Sequence, residues 1–575
     1  MTDVRRRESN GRIAVTVAPT TAPAPRGSAR SWPALVHVAL LAAVYAGVIA
    51  AGSADAWSGS DAGGKVATVR SMADDGSWHP DVGYWAETAD PAGQFHPLIK
   101  TARHGDDWVQ VTSLPLVYAA VPLWRLGGST AILLLPALGA LAAAWSARAV
   151  ARNLGATTGW SAFWLVGAGS PVLFYAGDFW EHAPALGLFV GAVALLTRPE
   201  VGRRDVLLAG AMAGAAAVLR AELGLYLAAF AVGAIAITEL RRFWIRRAQL
   251  AGRAAAAAAA VVIANTVLER AVVGSAIQSG RVGSQAAAVG GGLADRLQDD
   301  VVTTLGLFPY TDATAYALGI LAVCGLALLG WVLRHPDERG PALRWGVALT
   351  AAAYLARLFV GTGFMAGTLP ATPAGSAGLT AFPGSGARAK QLVVTATAAA
   401  PAVWLLQWRG DLFAQWGGRY TLASGVLLAV VAAVVIERAG LRTVVAAVVI
   451  GASVIVAVFG AAWHAERTRG LAHTIEVIDA APADVVIVTT MPHLGREAGA
   501  FYGDQRWLRL DRPDDADALA AVLDELGVDR IDVVEQVTEG WPHPTLAGFD
   551  RAGERLVPYL KGAQLRVIRY ERADH

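Results

Sequence analysis

The sequence is poor in cysteine and in charged residues, and both shortages exclude classes of protein. Its 575 residues include one cysteine, Cys324, so the chain cannot form an intrachain disulfide bond or build a metal site from thiolates. Charged side chains make up only 16% of the residues, and the net charge is +2. A net charge this small does not indicate a nucleic-acid partner.

Hydrophobic residues are abundant instead, at 55% of the chain. Many of them form runs of about 20 residues, the length that crosses a bilayer as a helix. The sequence therefore predicts an α-helical polytopic membrane protein. The first span is Trp32 to Gly52, which we expect to be retained because further spans follow it. The Arg-rich tail before it, residues 1–31, is predicted to be disordered and cytoplasmic.

Counting apolar runs, with basic residues marking the cytoplasmic side, predicts about thirteen transmembrane helices between residues 32 and 462. The third is predicted at 159–176. The tenth, at 366–382, is rich in Gly and Pro and is included because Arg388 and Lys390 then return to the cytoplasmic side. The segment 111–126 is short and contains prolines, so it is interpreted as a helix lying at the interface.

The pattern divides the chain into three parts: the tail (1–31), a membrane domain (32–463) whose first outer loop is 53–130, and a soluble domain (464–575). In the soluble domain, runs at 483–490 and 530–534 are predicted as buried strands, and 515–526 as an amphipathic helix. This composition indicates a small α/β domain. Thirteen crossings place it outside the cytoplasm, with the N-terminus inside. It contains no Gly-rich phosphate loop.

Charged groups near membrane depth are costly, so they are functional candidates. In this sequence they share the predicted outer side. A carboxylate can take a proton from a hydroxyl, and arginine binds phosphate through paired hydrogen bonds. A site with both kinds of group could perform both tasks. The candidates are Asp61, Lys65, Asp178, Glu181, His182, Arg220, Glu222, Arg357, Arg419 and Tyr420.

Each candidate also has a structural explanation. Asp61 lies in a Gly- and Ser-rich loop, where aspartate is usually a turn residue. Asp178 and Glu181 could cap the helix that follows them. Arg220 and Glu222 could simply pair with each other. Four tryptophans could stack on sugars or sit at the membrane interface without a ligand. These are Trp57, Trp85, Trp108 and Trp416.

These placements resemble the polyprenyl-phosphate-dependent glycosyltransferases of the GT-C superfamily, over the whole membrane domain. Within that superfamily the sequence resembles actinobacterial members, including those related to mannosyl- and arabinofuranosyltransferases. Asp61 matches by position the aspartate that acts as general base in the first outer loop of that family. Asp178 and Glu181 match the supporting acidic residue of its second outer loop.

Two local motifs carry the same resemblance. The run Trp416-Gly417-Gly418-Arg419-Tyr420 resembles a Gly-Arg-Tyr element whose arginine faces the lipid phosphate. The run Pro115-Leu116-Val117-Tyr118 resembles the start of a helix that lies parallel to the membrane. The first loop departs from the family, because it has Ser60-Asp61-Ala62-Gly63-Gly64-Lys65 in place of an Asp-Glu pair. This departure argues against a second carboxylate beside Asp61 and against a bound divalent metal.

The resemblance implies a hexosyl- or pentosyltransferase of the plasma membrane. It would move a sugar from a polyprenyl-phosphate donor to a cell-envelope glycan, lipid or protein on the outer face, with inversion, and no cofactor is certain. Asp61 would be the base. The donor phosphate would be bound by Arg419, Tyr420, Arg220 and Arg357. Supporting or substrate-binding roles would fall to Lys65, Asp178, Glu181, His182, Glu222 and Trp416.

Two other classes remain open. One is a transporter or flippase of lipid-linked saccharides, which would also need a charged cavity. Transporters usually show internal repeats and ionisable residues near the midplane, and this sequence shows neither. The other is a scaffold whose C-terminal domain recruits envelope partners, which would leave the outer charged cluster unexplained. The sequence does not specify the sugar, the acceptor or the linkage.

Overall fold

The computed structural model describes fifteen segments of the chain. The predicted disordered tail lies outside them. The described residues are 34–110, 113–237, 244–276, 301–307, 313–335, 340–359, 365–382, 386–407, 416–440, 443–481, 483–491, 494–501, 505–537, 544–560 and 563–573.

Most of the described chain is helical, and the helices are numbered in chain order. The first ten are α1 (Ala34–Ala51), α2 (Ser60–Asp74), α3 (Leu114–Ile132), α4 (Leu134–Asn153), α5 (Trp160–Gly167), α6 (Val172–Ala176), α7 (His182–Leu196), α8 (Arg203–Leu219), α9 (Glu222–Ala236) and α10 (Trp244–Val273). The next nine are α11 (Ala313–Arg334), α12 (Gly340–Phe359), α13 (Thr368–Ala371), α14 (Pro373–Gly378), α15 (Ala387–Gln407), α16 (Leu422–Ala439), α17 (Val444–Asp479), α18 (Leu494–Glu497) and α19 (Ala516–Glu525).

Six helices in the described part of the chain are long and apolar enough to cross a membrane, so this is a multi-pass membrane protein. Helix α3 is not among them, in line with the prediction that this segment is not a span. The predicted count of about thirteen is not confirmed. The six are Ala34–Ala51, Leu134–Asn153, Ile245–Val273, Tyr316–Arg334, Arg419–Ala439 and Val444–Asp479.

Two of the predicted spans are broken helices. The predicted tenth span was wrong as a single helix, because α13 and α14 are separated at Thr372 and are almost entirely buried. Pro370 and Pro373 remove backbone donors here, and irregular backbone at membrane depth is tolerated only where protein surrounds it. The predicted third span is likewise divided into α5 and α6, with Pro171 at the break.

The C-terminal domain contains one five-stranded mixed sheet, in agreement with the strands and helix predicted for it. Strand β3 pairs in parallel with β4 and β5, and β7 pairs antiparallel with β5 and β6. A short hairpin, β1 and β2, lies in the first loop of the membrane domain. The strands are β1 (Thr101–His104), β2 (Asp107–Gln110), β3 (Val485–Val488), β4 (Trp507–Arg509), β5 (Arg530–Gln536), β6 (Phe549–Pro558) and β7 (Gln564–Arg572).

The sheet domain is joined to the rest of the molecule in two ways. Helix α17 runs without a break to Asp479, so the boundary predicted at residue 464 falls inside it. The sheet also shares a hydrophobic core with the first loop, where Tyr84, Phe95 and Trp108 cluster with Leu508 of β4. The first loop and the sheet therefore form one packed layer. This layer covers the same end of the helices as α2.

Candidate functional site

Asp61 lies in the first turn of α2. The N-terminal end of a helix favours a negative charge, because its backbone N–H groups are unpaired. Gly59 precedes the helix, and a Cβ atom there would lie 2.0 Å from the ring of Trp180, so only glycine permits this entry. Lys65 follows Asp61 by one helical turn and lies on the same face. Asp61 is thus a helix residue, and the turn explanation is wrong.

Two arginines from distant parts of the chain hold the Asp61 carboxylate. Arg419 Nη2 lies 3.0 Å from Asp61 Oδ2, and Arg496 Nη2 lies 3.0 Å from Asp61 Oδ1. The Asp61 side chain is 20% exposed, whereas those of Arg419 and Arg496 are 7% and 2% exposed. The carboxylate is therefore the accessible member of the cluster.

The charges around Asp61 control its proton affinity. Burial alone would raise the pKa of Asp61, but Arg496 and Arg419, helped by Lys65 and Lys100, outweigh it and hold the pKa well below its usual range. At neutral pH the group is ionised. It can accept a proton, but it is a weak base while both guanidinium groups remain paired with it.

A second ion-pair chain lies beside the first and is fully buried. Lys65 Nζ is 2.6 Å from Glu181 Oε2, and Arg220 Nη1 is 3.6 Å from Glu181 Oε1. Arg220 Nε also donates to Glu222 Oε1 at 2.7 Å. Glu181 occupies the N-cap position of α7 but makes no capping hydrogen bond with its side chain. Its carboxylate is used for the ion pairs, so the capping explanation is wrong for Glu181.

The two chains together carry a surplus of positive charge. Lys65, Arg220, Arg419 and Arg496 supply four cations, and Asp61, Glu181 and Glu222 supply three carboxylates, which leaves one positive charge. A buried group of this kind attracts an anion, because charge in a low-dielectric surrounding is poorly screened. The cluster is electrostatically suited to a phosphate.

Arg419 is positioned by the two glycines before it. Gly417 and Gly418 have φ angles of +66° and +62°, which side chains rarely adopt. A Cβ atom on Gly418 would lie 1.8 Å from Thr368 Oγ1, and one on Gly417 would lie 2.2 Å from Pro171. The space beside both glycines is therefore filled by protein, and this packing places Arg419 just before α16.

Aromatic rings separate and orient the guanidinium groups. The Arg220 and Arg419 carbons Cζ lie 5.1 Å and 5.0 Å from the centre of the Tyr420 ring. Arg419 also lies 5.1 Å from the Trp180 ring. Cation–π contacts of this kind restrain an arginine without using its hydrogen-bond donors. The N–H donors of these arginines therefore remain available to carboxylates and to a ligand of the cluster.

Asp178 and His182 are buried on the same side of the cluster. Burial raises the pKa of Asp178 to about 7, although Lys65 and the backbone N–H groups of Ser58 and Phe179 act in the opposite direction. Asp178 therefore changes its protonation near neutral pH. His182 stacks on Tyr175, with ring centres 4.7 Å apart.

Two residues predicted for the site have other surroundings. Arg357 is buried in α12 with its guanidinium over the Phe459 ring of α17, 5.5 Å from the ring centre. Trp416 is buried between Phe174 and Trp463, with ring centres 6.1 Å and 6.0 Å away. Neither is observed in contact with Asp61 or Glu181.

The other three tryptophans proposed for sugar stacking also contact protein. The rings of Trp57 and Trp108 are buried, and Trp57 packs edge-on against Phe179. Trp85 is partly buried, and its Nε1 donates to the carbonyl oxygen of Trp507, 3.0 Å away. All of these contacts are explained by packing.

Sequence reasoning missed Arg496, which comes from the C-terminal domain. Arg496 lies in α18, in the segment that follows β3, a strand with parallel partners on both sides. Loops at the carboxyl ends of parallel strands often carry functional groups. The charged pair Arg496-Glu497, in the connection that follows a buried strand, was the signal that could have located it.

The segment that carries Arg496 is fixed against α2 by close backbone contact and by one further arginine. A Cβ atom on Gly63 would lie 1.6 Å from the Arg496 carbonyl oxygen. Arg467 of α17 donates to the Ser58 carbonyl oxygen at 2.8 Å and to Glu497 Oε1 at 3.0 Å. Three segments far apart in sequence are therefore tied together next to Asp61.

Across the described residues, no group of three or more His, Cys, Asp or Glu side chains is arranged to hold a metal ion. The carboxylates of Asp61, Glu181 and Glu222 pair with arginine or lysine.

Comparison with known proteins gives structural neighbours only. No protein-family profile and no curated protein matches the chain. An ArnT from Cupriavidus metallidurans with bound undecaprenyl phosphate is similar over 93% of this chain and 98% of its own, with 16% identity and a TM-score of 0.45. An Archaeoglobus fulgidus oligosaccharyltransferase with zinc and sulfate is similar over 86% and 67%, with 13% identity and a TM-score of 0.46.

A further structure is of the archaeal oligosaccharyltransferase AglB from Archaeoglobus fulgidus with an inhibitory peptide and a dolichol-phosphate. It is similar over 87% of this chain and 69% of that one, with 13% identity and a TM-score of 0.44. The lipids named for two of these structures are undecaprenyl phosphate and a dolichol-phosphate. All three similarities are distant, so what this chain does has to be argued from its own residues.

Proposed function

We propose that this protein is a membrane glycosyltransferase that moves a sugar from a polyprenyl-phosphate donor to a cell-envelope acceptor on the outer face of the plasma membrane. The observation that carries the proposal is the Asp61 cluster. A partly exposed carboxylate lies between two guanidinium groups, in a cluster with a surplus positive charge. This combination suits a reaction that needs a proton acceptor beside a phosphate leaving group.

The reaction follows from the chemistry of these groups. Asp61 takes the proton from an acceptor hydroxyl, and the hydroxyl oxygen forms a bond to the anomeric carbon. The bond between that carbon and the phosphate oxygen breaks, and its electron pair stays on the phosphate. Attack from the face opposite the leaving group inverts the anomeric configuration. Arg419 and Arg220 stabilise the negative charge that develops on the phosphate.

Donor binding would also activate the base. Arg419 cannot give its Nη2 to Asp61 and to a phosphate at full strength at the same time. When Arg419 turns towards the donor phosphate, one of the charges that depress the pKa of Asp61 is withdrawn, and the pKa rises. The carboxylate becomes a stronger base only when the donor is in place, which limits reaction in its absence.

The transporter alternative needs a continuous path between the two ends of the membrane domain. Helix α16, which begins beside Arg419, is buried along its whole length from Leu422 to Ile436. The buried helices α13 and α14 pack against it. This packing beneath the cluster favours a site reached from one end.

The proposal is tested by incubating the purified protein with a panel of polyprenyl-phosphate sugars and an envelope extract as acceptor. We expect release of free polyprenyl phosphate from at least one donor, measured by mass spectrometry. In parallel, fluorescent lipid-linked saccharide is followed in protein-containing vesicles. Movement of the labelled lipid between leaflets, with no release of polyprenyl phosphate from any donor, would establish the transporter instead.

Replacing Arg496 with glutamine tests whether the C-terminal domain takes part in catalysis. Removing this charge raises the pKa of Asp61, so the acid limb of the kcat/KM profile should move to higher pH. We also expect a roughly tenfold lower kcat/KM at pH values above that limb, because Asp61 loses the charge-assisted hydrogen bond that holds its carboxylate in position. The measurement is the rate of polyprenyl-phosphate release from pH 8 down to the lowest pH at which the protein stays folded, because the acid limb of the unaltered protein lies below the usual pKa range of an aspartate.

The matched control is Arg512→Gln, which removes an exposed arginine of the same domain that pairs with Asp515. Its profile should be unchanged. A purely structural role for Arg496 would lower the rate at every pH and leave the acid limb where it is. That result would show that Arg496 does not act on Asp61 during catalysis.

A further inference from the structure

A cavity of about 1000 Å³ lies among α8, α9, α10 and α15. Its lining residues run along α9 from Gly224 to Ala234 and along α10 from Arg246 to Ala258. These stretches are about 15 and 18 Å long at a rise of about 1.5 Å per residue. The cavity begins at the end of these helices away from Asp61 and extends towards the site.

The walls of the cavity are apolar, and one of them is rigid. Leu227, Phe230 and Ala231 line it from α9. On the opposite side, α8 and α10 pack backbone to backbone, since a Cβ atom on Gly210 or Gly214 would lie 2.3 or 2.5 Å from a carbonyl oxygen of α10. Small residues one turn apart allow this close packing of membrane helices. The result is a long apolar slot with room for at least one hydrocarbon chain.

The mouth of the slot is basic. Arg198 is neutralised by Asp205, at 2.6 Å, and Arg388 donates to the Arg198 carbonyl oxygen at 2.9 Å. Arg246 and Arg247 form no ion pair with any residue that the structure describes, and Arg247 lies close enough to Arg388 to be repelled by it. Four arginines and two carboxylates, Glu200 and Asp205, line this end of the slot, which leaves two positive charges. An excess of like charge at the end of an apolar slot is stabilised when an anion joins it.

We propose that this cavity binds an anionic phospholipid, with its phosphate between Arg246, Arg247 and Arg388 and an acyl chain in the slot. Basic pockets between membrane helices bind anionic headgroups, and each buried methylene of the chain adds to affinity. The occupant's phosphate would lie at the end of the helices away from Asp61, whereas the phosphate of the sugar donor has to lie beside Asp61. The site is separate from the proposed transfer reaction.

The test measures lipid binding directly, without any sugar donor. Full-length protein in detergent is titrated with phosphatidylglycerol, and bound lipid is counted by native mass spectrometry. Changing Arg246 and Arg247 together to glutamine should weaken binding roughly 25-fold, about fivefold for each charge. The matched control is Arg203→Gln with Arg204→Gln, two exposed arginines near the same end that do not line the cavity. It should bind normally.

A second variant tests the slot without altering charge. Ala231→Trp fills the apolar wall and should weaken binding of phosphatidylglycerol at least tenfold, with the arginines intact. The proposal is overturned if phosphatidylcholine binds as tightly as phosphatidylglycerol. It is also overturned if the Arg246/Arg247 variant binds phosphatidylglycerol as tightly as the Arg203/Arg204 control does. It is also overturned if undecaprenyl phosphate displaces the phospholipid with the same dependence on Arg246 and Arg247, since the cavity would then serve the donor.

Discussion

Replacing Asp61 with asparagine is expected to lower kcat for sugar transfer by roughly 10³-fold, within the range of about 10² to 10⁴ that a positioned general base contributes. Asparagine keeps the shape of the side chain but cannot accept the proton. Donor affinity should be unchanged or higher, because Arg419 is released from its ion pair and is free to bind the phosphate. Single-turnover rates and donor titrations separate the two effects.

The controls for Asp61 lie on the same helix. Asp75→Asn removes an exposed carboxylate just beyond the end of α2 and should leave the rate unchanged. Asp61→Glu keeps a carboxylate but displaces it by one methylene, so it should retain part of the activity. A folded Asp61→Asn protein with full transfer activity would rule out this residue as the base.

Replacing Arg419 with lysine is expected to reduce kcat/KM for the donor about 10²-fold, comparable to the loss of one donor to a developing oxyanion. Lysine keeps the charge, but it lacks the planar fork that binds a phosphate through two hydrogen bonds. It also loses the contacts of the guanidinium with Trp180 and Tyr420. Steady-state kinetics at several donor concentrations measures the change.

The same substitution at the other end of the helix is the control. Arg438 is an exposed arginine in the last turn of α16, where it donates to the carbonyl oxygens of Leu154 and Gly155. Arg438→Lys should leave donor kinetics unchanged. If the two variants lose activity equally, the effect comes from helix packing and Arg419 does not bind the phosphate.

Local sequence signals predicted the helices well and the broken segments poorly. A run of about 20 apolar residues is enough to specify a membrane helix, because the backbone N–H and C=O groups of a spanning segment must hydrogen-bond to one another within the bilayer. That signal located α1, predicted at Trp32 to Gly52, within a few residues. It failed at residues 366–382, where hydropathy and charge were compatible with a crossing but two prolines divide the helix. Burial by neighbouring helices, which no local window contains, decides the outcome there.

The candidate site was predicted in part, and the limit is the range of the contacts. Lys65 lies one turn after Asp61, so a helix pattern can place it. For Asp61 and Arg419 the sequence predicted only that both residues lie on the outer side of the membrane, and not that they are in contact. Arg496 is 435 residues from Asp61 in sequence and belongs to a soluble domain, so no pattern links the two. The roles assigned to these residues stay predictions until the variants are measured.

The unbroken helix α17 makes the sheet domain a fixed part of the membrane domain. A helix advances about 1.5 Å and turns about 100° with each residue, so the number of residues after the last membrane turn sets both the height and the facing direction of the sheet. The position of Arg467 depends on this rotation, because Arg467 lies on α17 and contacts both Ser58 and Glu497. The alignment of Arg496 with Asp61 therefore depends on the number of residues in α17 between the membrane and the sheet.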